Sequence, residues 1–112
     1  MLEIQMDRTR SFAVARLSGA LSGLDADQLA DALGELPYGE QARLAIDLSG
    51  LRSIDSNGLA ALIAVVTRSR LTDGRVVLVA PSPFVAGVLS VTRLDGWFDV
   101  CADLAAAEKL LK

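Results

Sequence analysis

The sequence predicts an α/β domain: a mixed β-sheet with a parallel βαβ unit, packed by about four helices, in the order β-β-α-β-α-β-α-β-α. Three observations carry this expectation. The chain opens with two short apolar runs joined by a few polar residues, as a hairpin requires. A third alternating run leads through a polar stretch into a strongly apolar helix, and then into a run that is apolar throughout after its first residue. Short connections between those three pieces are the mark of a βαβ unit with a right-handed crossover. At 112 residues the chain is long enough for one domain, residues 1–112, with a modest core.

Each element follows from local pattern. Leu2, Ile4 and Met6 alternate with Glu3, Gln5 and Asp7, the period-2 pattern of a half-exposed strand. Phe12 to Leu17 reads as a second strand, reached through the polar link Arg8-Thr9-Arg10-Ser11, and Ser18 to Gly23 reads as loop. Asp25 is placed to cap a first helix, with Asp27 and Gln28 in its first turn; Leu29, Leu33 and Leu36 form its stripe, and Pro37 and Gly39 stop it. Ala42, Leu44, Ile46 and Leu48 alternate with Arg43, Ala45 and Asp47 as a third strand ending at Leu48. A helix from about Asn57 to Arg70 carries Leu59, Leu62, Ile63 and Val66 at helical spacing. Thr72-Asp73-Gly74 turns the chain into a strand over Arg75 to Ala80, apolar enough to be buried on both faces. Ser82 as cap and Pro83 at the first helical position open a helix directing Val85, Val88, Leu89 and Thr92 inward. Trp97 to Cys101 reads as a last strand, and Asp103 caps a terminal helix, Leu104 to Leu111.

Composition narrows the function. The apolar fraction of 52% argues against disorder. No window is long enough to cross a membrane; the apolar run Leu59 to Val66 is far too short. The first residues show neither a basic region nor an apolar signal core, and Cys101 is the single cysteine, so a reducing cytoplasm is expected. A net charge of −3 and a pI near 4.8 speak against nucleic-acid binding. The one local basic group, Arg68, Arg70 and Arg75, reads as a solvated helix end. With no histidine, a serine–histidine nucleophile pair and histidine-based zinc sites are excluded, and no catalytic residue, metal or cofactor is expected.

The most pointed chemistry lies in Asp47-Leu48-Ser49-Gly50-Leu51-Arg52-Ser53-Ile54-Asp55-Ser56-Asn57-Gly58-Leu59-Ala60-Ala61-Leu62. Ser56 is expected at the N-cap of the apolar helix. Its hydroxyl can cap a backbone N–H, a contribution of roughly 1 kcal/mol, or it can be a phosphate acceptor at a helix N-terminus. Gly58 in the first turn is tolerated fraying or a point of close approach by a partner. Asp47 and Asp55 could be read as an acidic metal pair; Asp47 reads better as a solvated or hydrogen-bonded carboxylate at a strand end. Ala60, Ala61, Ala64 and Val65 give the helix a second, small-residue face, for packing or for a partner.

This segment resembles the core motif of STAS domains, the family of sulfate-transporter and anti-sigma factor antagonist domains. Asp47, Leu48, Ile54, Asp55, Ser56, Gly58 and Leu59 match that motif, and the element order agrees with a STAS-like fold over nearly the whole chain. The resemblance is to free-standing bacterial anti-sigma factor antagonists. It implies that the unphosphorylated form binds an anti-sigma factor with serine kinase activity and frees a sigma factor. Phosphorylation of Ser56 would end that interaction, and a serine phosphatase would reset it. Ser22, Asp55, Asn57, Gly58, Leu59 and Ala61 would then bind the partner.

Three departures stand out. Asn57 replaces the usual second hydroxyl, the loop Gly19-Ala20-Leu21-Ser22 lacks the family's acidic residues, and Arg93 stands where glycine is common. The first two keep open a non-switching STAS subunit of a transporter or scaffold complex. A phosphotransfer receiver with Asp47 or Asp55 as acceptor is disfavoured, because the acidic cluster and late lysine it needs are missing.

Overall fold

β-Branched and leucine-rich runs at residues 2–7, 13–21, 43–54 and 75–79, with a short fifth run at 99–101, pair into one sheet. It is seen in a computed structural model that describes residues 2–7, 12–34, 43–71 and 73–111, without the side chains of 26, 33 and 34. The expectations placed on Arg8 to Ser11, on the side chain of Leu33, and on Leu36, Pro37, Gly39, Ala42 and Thr72 lie outside these residues. The strands are β1 (Leu2–Asp7), β2 (Ala13–Leu21), β3 (Arg43–Ile54), β4 (Arg75–Val79) and β5 (Asp99–Cys101), in the spatial order β1-β2-β3-β4-β5. β1 is antiparallel to β2, and every later pairing is parallel.

The parallel strands advance one place at a time in one direction. Right-handed crossovers then put α1 (Ala26–Gly34), α2 (Ser56–Leu71) and α3 (Pro83–Val91) on the same face. Their apolar sides meet Ala15, Leu17, Ile46, Leu48 and Leu78 in the main core. α4 (Leu104–Leu111) follows β5 and returns across the opposite face, where Ala107 and Leu111 pack with Phe12, Val14, Ala45, Val77 and Val79. The βαβ reading of residues 43 to 79 is what the chain adopts.

Two strands run further than their sequence pattern suggests. β2 continues through Ser18 to Leu21, where a loop was expected, because its end pairs with the continuation of β3. β3 continues past Leu48 to Ile54. The extra residues are absorbed by register shifts: Arg16 and Ser18 face Asp47 and Gly50, and Gly19 and Ala20 face Leu51 and Ser53. A bulge of this kind turns two apolar residues three apart, Leu48 and Leu51, to the same buried side. Ala45, read as an outward position, is fully buried because α4 covers it.

Other corrections are local. In α2 Val65 is a core residue, whereas Ile63 is half-buried. Thr92 is exposed, its Oγ1 donating back to the carbonyl of Val88 at 2.8 Å. Ser82 holds the N-cap position of α3 with Pro83 first in the helix, but its hydroxyl donates to the carbonyl of Leu51 rather than capping. β5 is shorter than expected because Trp97 and Phe98 close a 3₁₀ turn, their amides donating to the carbonyl of Leu94 at 3.0 and 2.9 Å. Phe98 is buried as foreseen, while Trp97 and Cys101 are half-buried. Arg93 takes the left-handed conformation, φ 61° and ψ 19°, so the turn keeps its shape despite lacking glycine. Arg70 is exposed at the end of α2, as expected, and its guanidinium also lies 4.3 Å from the Trp97 ring centroid and donates to the Trp97 carbonyl. Arg75 pairs with Asp99 at 3.6 Å.

Candidate functional site

At the C-terminal end of the parallel strands, the ends of β2 and β3 lead into α1 and α2, and two polar segments meet there. The helix start at α2 is organised by Asp55. One carboxylate oxygen accepts from the amide of Gly58 at 2.7 Å, and the Asp55 carbonyl accepts from Leu59 at 2.9 Å. Asp55 is therefore the N-cap, a role that sequence reading assigned to Ser56. Ser56 is instead the first helical residue, and it is exposed. The correction has a simple cause: aspartate caps as well as serine does, and Ile54 is still held in β3, so the helix begins one residue earlier than expected.

The second oxygen of Asp55 reaches across to the other segment, accepting from the amide of Gly23 at 3.2 Å. The Asp55 amide donates to the Leu21 carbonyl at 3.1 Å. Asp55 thus ties the start of α2 to the β2–α1 turn on both its backbone and its side chain.

That turn is closed by hydrogen bonds of its own. Ser22 donates its amide (3.1 Å) and its hydroxyl (2.8 Å) to the Asp25 carboxylate, and its carbonyl accepts from the Asp25 amide at 2.9 Å. Ser22 thus stands before the 3₁₀ turn Gly23–Asp25, and Asp25 stands immediately before α1, the cap position expected for it, with its carboxylate turned back onto Ser22. The Ser22 hydroxyl, and then its amide, hold the Asp25 carboxyl below its ordinary range. The Ser-x-x-Asp spacing was the signal that could have revealed it. The 3₁₀ turn Gly23–Asp25 displays Leu24, which is 96% exposed and was not singled out from sequence.

Gly58 is explained from within. A Cβ there would stand 2.3 Å from the Leu21 carbonyl oxygen, so the residue is glycine because α2 lies directly against the end of β2. Gly58 and Leu59 are buried, and Ala61 is half-buried. The approach expected from a partner at Gly58 is made by this chain's own backbone, and Gly58 and Leu59 shape the surface from beneath. Ser22 is half-buried; Asp55, Ser56 and Asn57 are exposed. Asn57 packs on Gly23, where an added Cβ would come within 2.9 Å of the Asn57 Cβ. Ala60 and Ala64 remain on the exposed face of α2, while Val65 does not.

Asp47 is separate from this cluster. It accepts from the Ser49 amide at 2.9 Å and faces Arg16 at 3.8 Å, well inside β3 rather than at its end. Among the described residues no three potential metal ligands converge, and no helix is long and apolar enough to cross a membrane. What the cluster offers is one accessible hydroxyl on the first residue of a long helix. The amides of Ser56 and Asn57 there have no intrahelical acceptor, and such an end favours a bound anion.

Comparison with known proteins gives a consistent picture. A family model described as "Mlab, STAS domain" matches residues 4–108. A protein of Bordetella bronchiseptica, named as a candidate anti-sigma factor antagonist, BtrV, is 29% identical over 112 residues, spanning 99% of this chain and 96% of that protein. The structure of an anti-sigma factor antagonist from Mycobacterium paratuberculosis is similar with a TM-score of 0.83 at 24% identity, over 99% of this chain and 94% of that one. Unphosphorylated SpoIIAA is similar with a TM-score of 0.77 at 22% identity, over 96% of each chain. These two structural likenesses are likenesses of fold.

Proposed function

This chain belongs to the STAS domain family, and from that premise we propose that it is an anti-sigma factor antagonist switched at Ser56. In its unmodified form it binds an anti-sigma factor with serine kinase activity and so frees a sigma factor. The kinase then transfers phosphate from ATP to the Ser56 hydroxyl and the complex dissociates; a serine phosphatase restores the binding form. The chain itself is a binding module and not an enzyme, it acts in the cytoplasm, and neither nucleic acid nor membrane is its partner.

The observation that carries this reading is the division of labour at the start of α2. Asp55 supplies the cap through its bond to Gly58, so Ser56, exposed at the first helical position, can be modified without loss of the capping bond. A phosphate there brings about −1.5 to −2 of charge beside Asp55 and close to the Ser22–Asp25 turn. That charge opposes a nucleotide-bearing partner while the free amides of the helix end accommodate it. Ser22, Asp55 and Asn57 border the acceptor and complete the contact surface, with Gly58, Leu59 and Ala61 supporting it from below.

The test is binding of the purified chain to its cognate kinase, together with phosphopeptide mapping from cells lysed under phosphatase inhibition. Phosphate on Ser56, tight binding by Ser56→Ala and loss of binding by Ser56→Asp are expected. Equal binding by the two variants sinks the switch. A second reading, a non-switching subunit of a transporter or scaffold complex, draws on Asn57, which packs on Gly23 in place of a second hydroxyl. Constant co-purification with such a complex and an unmodified Ser56 would favour it.

A further inference from the structure

The turn Gly23–Asp25 presents a leucine almost wholly to water, and hydrogen bonds on either side of it hold the base of the turn. A single exposed leucine on a surface is ordinary. Leu24, at 96% exposure, differs in how it is held. The residue before it is bonded through its amide to Asp55, and the residue after it is locked to Ser22 by three hydrogen bonds. Gly23 is also in close contact with Asn57. The two residues that flank Ser56 in the chain therefore fix the base of the turn that carries Leu24.

From this we infer that Leu24 is the apolar anchor by which the serine kinase recognises this chain, entering an apolar pocket beside that kinase's active site. The inference rests on Ser56 being the phosphate acceptor. A kinase that brings a nucleotide phosphate to Ser56 must cover its surroundings. A protein partner of ordinary size covers about 800 Å² on each side, a disc roughly 16 Å in radius. Leu24 lies two chain steps and one hydrogen bond from Ser56, well inside such a disc. Because the turn is already ordered, burying Leu24 costs no backbone freedom, the condition under which one side chain contributes most to binding. Its exposure also means that the folded chain alone gains little from it.

The experiment follows label from γ-labelled ATP into Ser56 of purified chain added to clarified extract of the source cells, as a function of chain concentration. Full burial of a leucine is a contribution of one to two powers of ten in affinity. Leu24→Ala should therefore raise the half-saturating concentration by about tenfold or more, with the maximal rate unchanged. Leu24→Asp should raise it further, and Leu24→Met should return it close to the wild-type value. All three should unfold at the wild-type temperature, which separates a recognition defect from a folding defect. Wild-type half-saturation in both Leu24→Ala and Leu24→Asp would overturn the anchor while leaving the acceptor role of Ser56 intact. Wild-type chain that takes up no label at Ser56 would overturn both.

Discussion

Replacing Gly58 by alanine sets two physical effects in direct opposition. On helix propensity alone, alanine in place of glycine within a helix stabilises by up to about 1 kcal/mol. The structure puts the new Cβ 2.3 Å from the Leu21 carbonyl oxygen, 2.9 Å from its carbonyl carbon and 3.0 Å from its Cγ. That is about 1 Å inside normal contact, and against backbone that is paired in a sheet. Overpacking of this kind costs roughly 1–3 kcal/mol. Moving α2 aside to relieve it stretches the 3.1 Å bond from the Asp55 amide to the same carbonyl, a further loss of about 1 kcal/mol. The net expectation is a destabilisation of about 1–3 kcal/mol, or about 4–12 °C in Tm for a domain of this size. Urea unfolding followed by fluorescence of the single tryptophan, Trp97, measures it by linear extrapolation. A Gly58→Ala chain as stable as the parent, or more so, would refute the argument, since helix propensity would then have prevailed over the close approach.

Two further predictions concern the caps. Asp55→Ala should lose about 1–2 kcal/mol of stability, because it removes both the cap on Gly58 and the tie to Gly23, whereas Ser56→Ala should change stability by less than about 0.5 kcal/mol. The same urea titration compares them, and the reverse ranking would restore Ser56 as the cap. The Asp25 carboxyl, held below its ordinary value by Ser22, has a lower pKa folded than unfolded. Its stabilising contribution is therefore present above the unfolded value of about 3.9 and is lost as pH falls through the folded value. Asp25→Asn should accordingly show a shallower decline of stability below about pH 4 than the parent; parallel acid limbs would show that the Ser22 bonds do not survive in solution.

Much of the fold was legible because long apolar patterns are hard to mistake. The run from Arg75 and the helix Leu59 to Val66 required a buried strand and a packed helix whatever their surroundings, and the short links between them required a βαβ unit. The errors fall where pairing or capping, rather than periodicity, decides. The period-2 pattern of the third strand breaks after Leu48, yet β3 runs on, because bulged pairing with β2 brings Leu51 inward. Ser18 to Leu21 carries two small residues and a glycine, which locally favour a loop, and only pairing with β3 makes them a strand. At the start of α2 the sequence supplied two acceptable caps side by side, Asp55 and Ser56. Propensity does not choose between aspartate and serine, so the choice awaited the three-dimensional positions of Gly58 and Gly23. Arg93 holds a left-handed conformation that propensity disfavours by about 1 kcal/mol, just past the C-cap of α3, where a helix end commonly turns left-handed.

The one-residue displacement of the cap also determines what modification of Ser56 does to the chain. Were Ser56 the cap, its phosphate would have to replace the capping oxygen, and the helix start would be remade with every cycle. With Asp55 as the cap, a phosphate on the first helical residue meets two opposing effects of similar size. The helix end stabilises a nearby anion by about 0.3–1 kcal/mol, while Asp55, exposed and in high dielectric, repels it by a similar amount. The proposed switch then changes the surface and leaves the fold nearly unchanged. Chain phosphorylated at Ser56 should unfold within about 1 kcal/mol of the unmodified chain, and amide hydrogen exchange through α2 should be the same in both forms. If instead the amides of α2 and of the Ser22–Asp25 turn exchanged much faster once Ser56 carried phosphate, the charge would be breaking the Asp55 tie to Gly23, and the switch would act through shape.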